Sequence, residues 1–266
     1  MMSILVRHDS TIPLEFPGIT PDQLEKLSPS EAAKLAAIFG NRTVELGEVA
    51  SLSGDCSDGR LRFEGDTGRV KQLGAKMTRG IISVEGDVGL HAGAQMTGGT
   101  LVIDGDAGDW LGAEMTGGEI EVRGNAGHNT GSAYRGSRHG MRGGSILVKG
   151  EAGDELGLLM RRGSIIVEGS VGEFTGASMI AGTIVGMKGF GPRAGAGMKR
   201  GTLIACGQAA PIAPGFRYCC DFAPAYLDLA RKRLWPGLPA ASAVRCYRGD
   251  VLTGGRGELL LLPPVS

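Results

Sequence analysis

Three observations predict an all-β fold, a right-handed single-stranded parallel β-helix of about eight 19-residue coils: a fixed repeat, a strand pattern inside each unit, and glycine at set places between units. Met77, Met96, Met115, Met141, Met160, Met179 and Met198 follow in steps of 19, 19, 26, 19, 19 and 19 residues. A glycine stands three residues after each, from Gly80 to Gly201, and one more copy fits at Gly59. A constant period near 20 residues marks a solenoid, in which each unit buries its apolar face only against its neighbours.

Each marker glycine opens a five-residue segment: RLRFE, IISVE, TLVID, EIEVR, SILVK, SIIVE, TIVGM and TLIAC. The second position is always Leu or Ile, and the fourth is mostly Val, Ile or Phe, while the others are more often polar. Such alternation predicts half-buried strands. Equal strands at equal spacing stack in parallel at about 4.8 Å per rung, which makes the body about 35–40 Å long. Parallel crossovers are right-handed, and 19 is not a multiple of six, which argues against a left-handed hexapeptide helix. The 47 glycines lack a three-residue period and are interleaved with apolar residues, so neither collagen nor a flexible linker fits. They sit at corners, where positive φ and close backbone approach favour them. The GxGxxG look-alike from Gly105 to Gly112 is read as such a corner, because no helix pattern follows it.

An open solenoid end exposes strand edges, so caps are expected at both ends. Residues 1–40 are assigned to an N-terminal cap, 41–207 to the solenoid and 208–266 to a C-terminal cap that also docks a partner. Ser28-Pro29-Ser30-Glu31 reads as a capping box with proline in the first turn, opening a helix that runs through EAAKLAAIF to Gly40. Asp221 to Leu234 has helical spacing and stops at Pro236, and VRCYRGDVLTGGRGELLLLP reads as a strand, a glycine turn and a final strand. Leu259 to Leu262 needs burial, on the last coil or in a partner.

Formal net charge is zero, which gives no general attraction to nucleic acid or an anionic membrane. No apolar run reaches 18 residues, and the N-terminus carries charge and proline too early for a signal peptide. A soluble cytoplasmic protein is expected. The five cysteines contain no CxxC pair, so neither a disulfide framework nor a structural zinc site is supported.

No catalytic constellation emerges. His8, His91, His128 and His139 fall in no metal-binding spacing; only His128 and His139 can meet, and each is read as a surface imidazole. Carboxylates at strand ends and corners, among them Asp66, Asp87 and Asp106, are expected to stack outside as solvated ladders. The informative feature is the 26-residue step, an insertion within Gly124 to Gly144 that carries Tyr134, Arg135, Arg138, His139 and Arg142. Solenoid insertions are surface loops suited to binding or to bracing a neighbour. The position after each marker methionine holds Thr78, Thr97, Thr116, Arg142, Arg161, Ile180 and Lys199 in turn, with Arg162 and Arg200 one residue on from Arg161 and Lys199. Stacked cations either splay into water or take an anion, such as a carboxylate ladder or an acidic partner.

The repeated G-D/N-x-G…G-A-x-M-x-x-G units, the interrupted coil NTGSAYRGSRHGMRGG and the closing YRGD…GGRGELLLL resemble the C subunits of formylmethanofuran dehydrogenase and of the bacterial formyltransferase/hydrolase complex. More distantly they resemble the β-helical C-terminal domain of the glutamate synthase large subunit. The resemblance covers about residues 40 to 262, and Tyr134-Arg135-Gly136 points to the C subunits. It implies a scaffold without a catalytic site or cofactor of its own. The implied partners are an amidohydrolase-like A subunit, a B subunit and a formyltransferase D subunit. That complex would pass formyl from formyl-tetrahydromethanopterin through a methanofuran-type carrier to formate. A carrier arm rich in glutamate would suit the basic loop and column. A molybdenum or tungsten formylmethanofuran dehydrogenase is the alternative implied; a stand-alone structural or binding β-helix stays open as a third reading.

Overall fold

The computed structural model describes all residues except 8–10, 208–211, 224, 234, 236, 241–242 and 263–266. His8, Leu234 and Pro236 therefore lie outside the described residues. The chain opens with β1 (Met2–Val6) and β2 (Leu14–Glu15), then α1 (Pro21–Leu24) and α2 (Pro29–Ala32). Next come β3 (Ala36–Phe39), β4 (Arg42–Glu45), α3 (Leu46–Val49) and β5 (Ala50–Gly54). The stack itself is built from β6 (Arg60–Gly65), β8 (Ile81–Val84), β9 (Thr100–Ile103), β10 (Glu119–Val122), β11 (Arg142–Val148), β12 (Arg162–Val167), β13 (Thr183–Gly186) and β14 (Thr202–Cys206); the short β7 (Val70–Lys71) lies beside it. The C-terminal part adds β15 (Arg217–Phe222), α4 (Ala225–Arg233), β16 (Val244–Gly249), a 3-10 turn (Val251–Thr253) and β17 (Gly257–Leu262).

The eight strands from β6 to β14, β7 apart, pair in chain order and in parallel, within a sheet of 13 strands. Their register aligns Leu61, Ile82, Leu101, Ile120, Ile146, Ile165, Ile184 and Leu203 in one column, as the repeat predicts. All are buried, as are the seven marker methionines. A second parallel column runs through Val88, Ala107, Ala126, Ala152 and Val171. One core follows the stack from Met2 to Leu259.

Both ends of the stack are covered. β1 pairs parallel to β6 and antiparallel to β5, so the first residues of the chain extend the sheet. At the other end β17 pairs parallel to β14, with Leu259, Leu260 and Leu262 buried. The four-leucine segment thus finds its burial on the last coil.

Two expected helices are shorter than the pattern suggests. The Ser28–Glu31 capping box forms, but the helix stops at Ala32, and Ala36–Phe39 pairs with β2 and β4 instead. Gly40, at φ 61°, opens a two-residue turn between Phe39 and Arg42, the place a type II′ hairpin gives to glycine. A few helical residues gain little on their own, and two strand partners outweigh them. Asp221 and Phe222 likewise end strand β15, so the second helix begins only at Ala225.

The corner carboxylates do more than face water. Asp87 Oδ1 accepts from the Asp106 N–H at 2.8 Å, Asp106 Oδ1 from Asn125 N–H at 2.7 Å, and Asn125 Oδ1 from Glu151 N–H at 2.9 Å. Each side chain thereby caps a backbone donor on the next coil that the tight corner leaves without a carbonyl. Asp106→Ala is expected to lower stability by about 1 kcal/mol, measured by urea unfolding.

The outward third strand position reads Arg62, Ser83, Val102, Glu121, Leu147, Ile166, Val185 and Ile204, and is apolar throughout from Leu147 onward. Helix α4 and the segment after it cover that apolar end: Leu227 and Leu238 pack on Val185, Ile204, Cys206 and Leu260 in a second core, with Trp235 beside it. No helix among the described residues is long and apolar enough to cross a membrane.

Candidate functional site

The insertion folds back over earlier coils. Tyr134 stacks on Trp110 with ring centroids 5.0 Å apart, lies 5.5 Å from the His91 ring, and its hydroxyl is 3.0 Å from His91 Nδ1. Ala75, Ala94 and Ala113, one on each of three coils, form the buried floor beneath. Together with Gln72, Lys76 and Gln95, His91 and Tyr134 line an open cleft of about 310 Å³. Burial pushes the Tyr134 hydroxyl up to about 12, so it keeps its proton beside Nδ1.

Glu114 ties the loop to the stack. Its carboxylate accepts from Gln95 Nε2 at 3.0 Å and from the Tyr134 N–H at 3.3 Å. Burial pushes this carboxyl up, but hydrogen bonds from Gln95, Ser137 and the Tyr134 backbone, with the Arg142 charge, hold it below its usual range on balance. The insertion is thus braced against its own chain, and its exposed Arg135 and Arg138 are held at the surface.

Burial, followed by the Lys71 charge, lowers the His91 pKa below its ordinary 6.5. The fold favours the neutral ring, so its contribution is complete above 6.5 and is lost as pH falls through the folded value. The melting temperature of the wild type is therefore expected to drop more steeply on acidification than that of His91→Gln.

The basic residues that follow the marker methionines hang from the stack at equivalent places. Arg142 N–H donates to Met115 O at 2.8 Å, Arg161 N–H to Met141 O at 2.8 Å, and Lys199 N–H to Met179 O at 2.7 Å, so the position after each marker methionine hangs from the coil before it. Arg142 also lies directly opposite Arg162 in the β11–β12 register. The structure thus brings Arg142, Arg161 and Arg162 together on adjacent coils, with Arg135 and Arg138 on the insertion that leads into Arg142. Lys199 and Arg200 lie two coils further on, about 10 Å away along the stack. All seven cations are exposed. On the coils that lead up to the column, Gly98, Gly99, Gly117, Gly118 and Gly144 form a trough without side chains, a shallow cleft of about 560 Å³ edged by Thr100, Glu119 and Ser145, which meets the column only at the Arg142 coil.

His139 is half-buried and joins Ser137 through its backbone. His128 instead accepts the Asp154 N–H at its Nδ1, 2.9 Å away, as one more corner cap. The histidine that belongs to a cluster is His91, which the residue pattern alone treats as a surface group. A signal for it exists: Gln72, His91, Trp110, Asn129, Glu155, Phe174 and Arg193 each stand two residues before a corner glycine. All seven adopt positive φ, which for a side chain costs about 1 kcal/mol or more and sets one outward column. Among the described residues no group of three metal-ligating side chains gathers. The Cys56 and Cys206 thiols are pushed by burial to about 11 and about 12, away from reactivity.

No family model matches the chain. It is 40% identical over 89 residues to the C subunit of the formyltransferase/hydrolase complex Fhc of Methylorubrum extorquens, covering 34% of this chain and 33% of that protein. It is 39% identical over 84 residues to the C subunit of the tungsten-containing formylmethanofuran dehydrogenase 2 of Methanothermobacter marburgensis, covering 30% and 31%. These stretches span about a third of the curated relatives' length. Over the whole fold, the chain superimposes on a chain of the crystal structure of the M. extorquens formyltransferase/hydrolase complex with methylofuran, with a TM-score of 0.90 and 38% identity over 98% of this chain and 99% of that one. A match of that extent and identity places the chain in a family: it belongs to the C subunits of formyltransferase/hydrolase complexes and formylmethanofuran dehydrogenases.

Proposed function

We propose that this chain is the non-catalytic scaffold subunit of a cytoplasmic formyltransferase/hydrolase complex. In this reading residues 41–207 wind as a right-handed parallel β-helix of eight coils, capped by 1–40 and 208–266. The partners are A, B and D subunits of the same complex, which passes formyl from formyl-tetrahydromethanopterin through a methanofuran-type carrier to formate. The observation that carries the reading is the end-to-end match, at 38% identity, to a chain of that complex.

The basic column gives the scaffold a second task. Arg142, at the end of the glycine trough, and Arg161 and Arg162 on the next coil, about 5 Å on, present cations beside Arg135 and Arg138 of the insertion, while Lys199 and Arg200 lie two coils further away. Stacked cations of this kind are relieved by a chain of carboxylates. A polyglutamate arm laid along the Arg142–Arg162 column supplies one, and Tyr134 and His139 hold the loop beside it. The similarity to the tungsten-dependent relative sustains a second reading, as the C subunit of a molybdenum or tungsten formylmethanofuran dehydrogenase.

Isolation of the native assembly through a tag on this chain, with mass spectrometry of its proteins and metals, separates the two. Formyltransferase and amidohydrolase-like partners without molybdenum or tungsten support the hydrolytic complex. Metal-bearing redox partners support the dehydrogenase, and a solitary chain refutes both.

A further inference from the structure

Most of the large hydrophobic side chains left exposed belong to the last part of the chain: Tyr218, Phe222, Tyr226, Leu229, Val251 and Leu252, against Met1, Ile12 and Ile81 elsewhere. Leu252 is the extreme case at 88% exposed, with Val251 beside it at 48%. A leucine in water is ordinary on a loose loop, but this one stands on a turn that is fastened from every side.

Asp250 is the fastener. Its Oδ1 accepts from the Leu252 N–H at 3.0 Å, its Oδ2 from the Gly197 N–H at 3.1 Å, and its carbonyl from Thr253 and Gly255 N–H. The Thr253 hydroxyl donates to Met198 O at 2.6 Å, and the Val251 N–H donates to Gly215 O at 3.0 Å. The turn is thereby tied to the last solenoid corner and to the turn that leads into β15. An apolar side chain carried on a backbone held in one conformation has already lost the backbone freedom that binding would otherwise take from it, which suits an interface anchor.

The groups holding the turn also ring it with positive charge. Lys199 and Arg200 follow Met198, Arg217 follows Gly215 by two residues, and Arg256 follows Gly255; all four are exposed. None forms an ion pair among the described residues, and Arg217 spends donors on the carbonyls of Pro214 and Phe216. The carboxylates close by are committed, Asp250 to the turn and Glu258 to Arg248 and Thr202. The complementary surface is apolar at its centre and acidic at its rim.

We propose that the Val251–Leu252 turn is an anchor by which this chain docks into an acidic-rimmed apolar pocket of another subunit of its complex, with Lys199, Arg200, Arg217 and Arg256 pairing to that rim. The inference rests on the reading of the chain as a complex subunit. It also divides the cations, giving Lys199 and Arg200 to the partner and the column around Arg142 to the carrier.

The test uses the full chain co-expressed with its complex and recovered through a tag on another subunit, at low and high salt. Leu252→Asp is expected to lower recovery about thirtyfold, as loss of an interface hot spot does. The double variant Lys199→Glu/Arg256→Glu is expected to lower it most at low salt, where charge pairing is least screened. Both variants alter exposed side chains, and unchanged melting of the isolated chain confirms their folding. Undiminished recovery of both variants overturns the inference while leaving the subunit reading intact. Failure of the wild type to co-purify with any subunit overturns both. If the isolated wild type self-associates and Leu252→Asp abolishes that, the pocket belongs to a second copy and the inference falls.

Discussion

Replacing Arg142, Arg161 and Arg162 together with glutamate is expected to weaken binding of an oligoglutamate probe to the complex about 100-fold. Each exposed pair contributes little alone, but three attractions are removed and three repulsions take their place on neighbouring rungs. The wild-type affinity should fall steeply with salt, whereas the residual affinity of the variant should be nearly flat. Isothermal titration over a salt series reads both. Glutamate at Lys199 and Arg200, two coils away, should leave probe affinity within about threefold of the wild type, because a Debye length near 10 Å separates those sites from the column. Equal loss from both variants would mean that net charge, rather than the column, holds the arm.

Gly118→Ala carries the largest expected loss of stability, about 3 kcal/mol. Gly118 sits at φ 89°, and a Cβ there would stand 2.8 Å from Gly99 O and 2.9 Å from Gly98 C, backbone of the preceding coil. Strain at positive φ and forced contact each cost of order 1–3 kcal/mol, and the neighbouring coil is pinned by its own ladder. Gly136 separates the two causes. It has φ 87° but nothing within 4 Å of where a methyl group would stand, so Gly136→Ala should cost only the conformational part, about 1 kcal/mol. Urea denaturation of the pair gives the contact contribution by difference.

What the residues reveal before folding follows from how local the determining physics is. The strand columns, the corner glycines and the Arg142–Arg161 stack depend on one repeated step, so a period written in sequence transfers directly to space. The capping box at Ser28 and Glu31 is equally local and forms as expected. Ala36–Phe39 is not local: its helix-favouring neighbours yield to backbone partners at Leu14–Glu15 and Arg42–Glu45. The carboxylate caps escape notice because an aspartate at a tight corner looks the same whether it faces water or an N–H on the next coil. The His91–Trp110–Tyr134 stack requires both the register of the corner column and the path of a seven-residue insertion that returns over two coils. Only the first of these is visible in the repeat. The helical spacing of α4 is legible, although the helix begins only at Ala225; its seat on Val185 and Ile204 is not, because that contact depends on the return of a segment distant in sequence.

In the function proposed, this chain organises a formyl-transferring complex without carrying out the chemistry. Formate release from a formylated carrier, measured for the chain alone, for the other subunits alone and for the reassembled complex, tests it most directly. The expected result is no turnover by the isolated chain, and transfer from formyl-tetrahydromethanopterin to formate that is restored only when this chain rejoins the others. Turnover by the isolated chain, or full coupled activity in its absence, would contradict it.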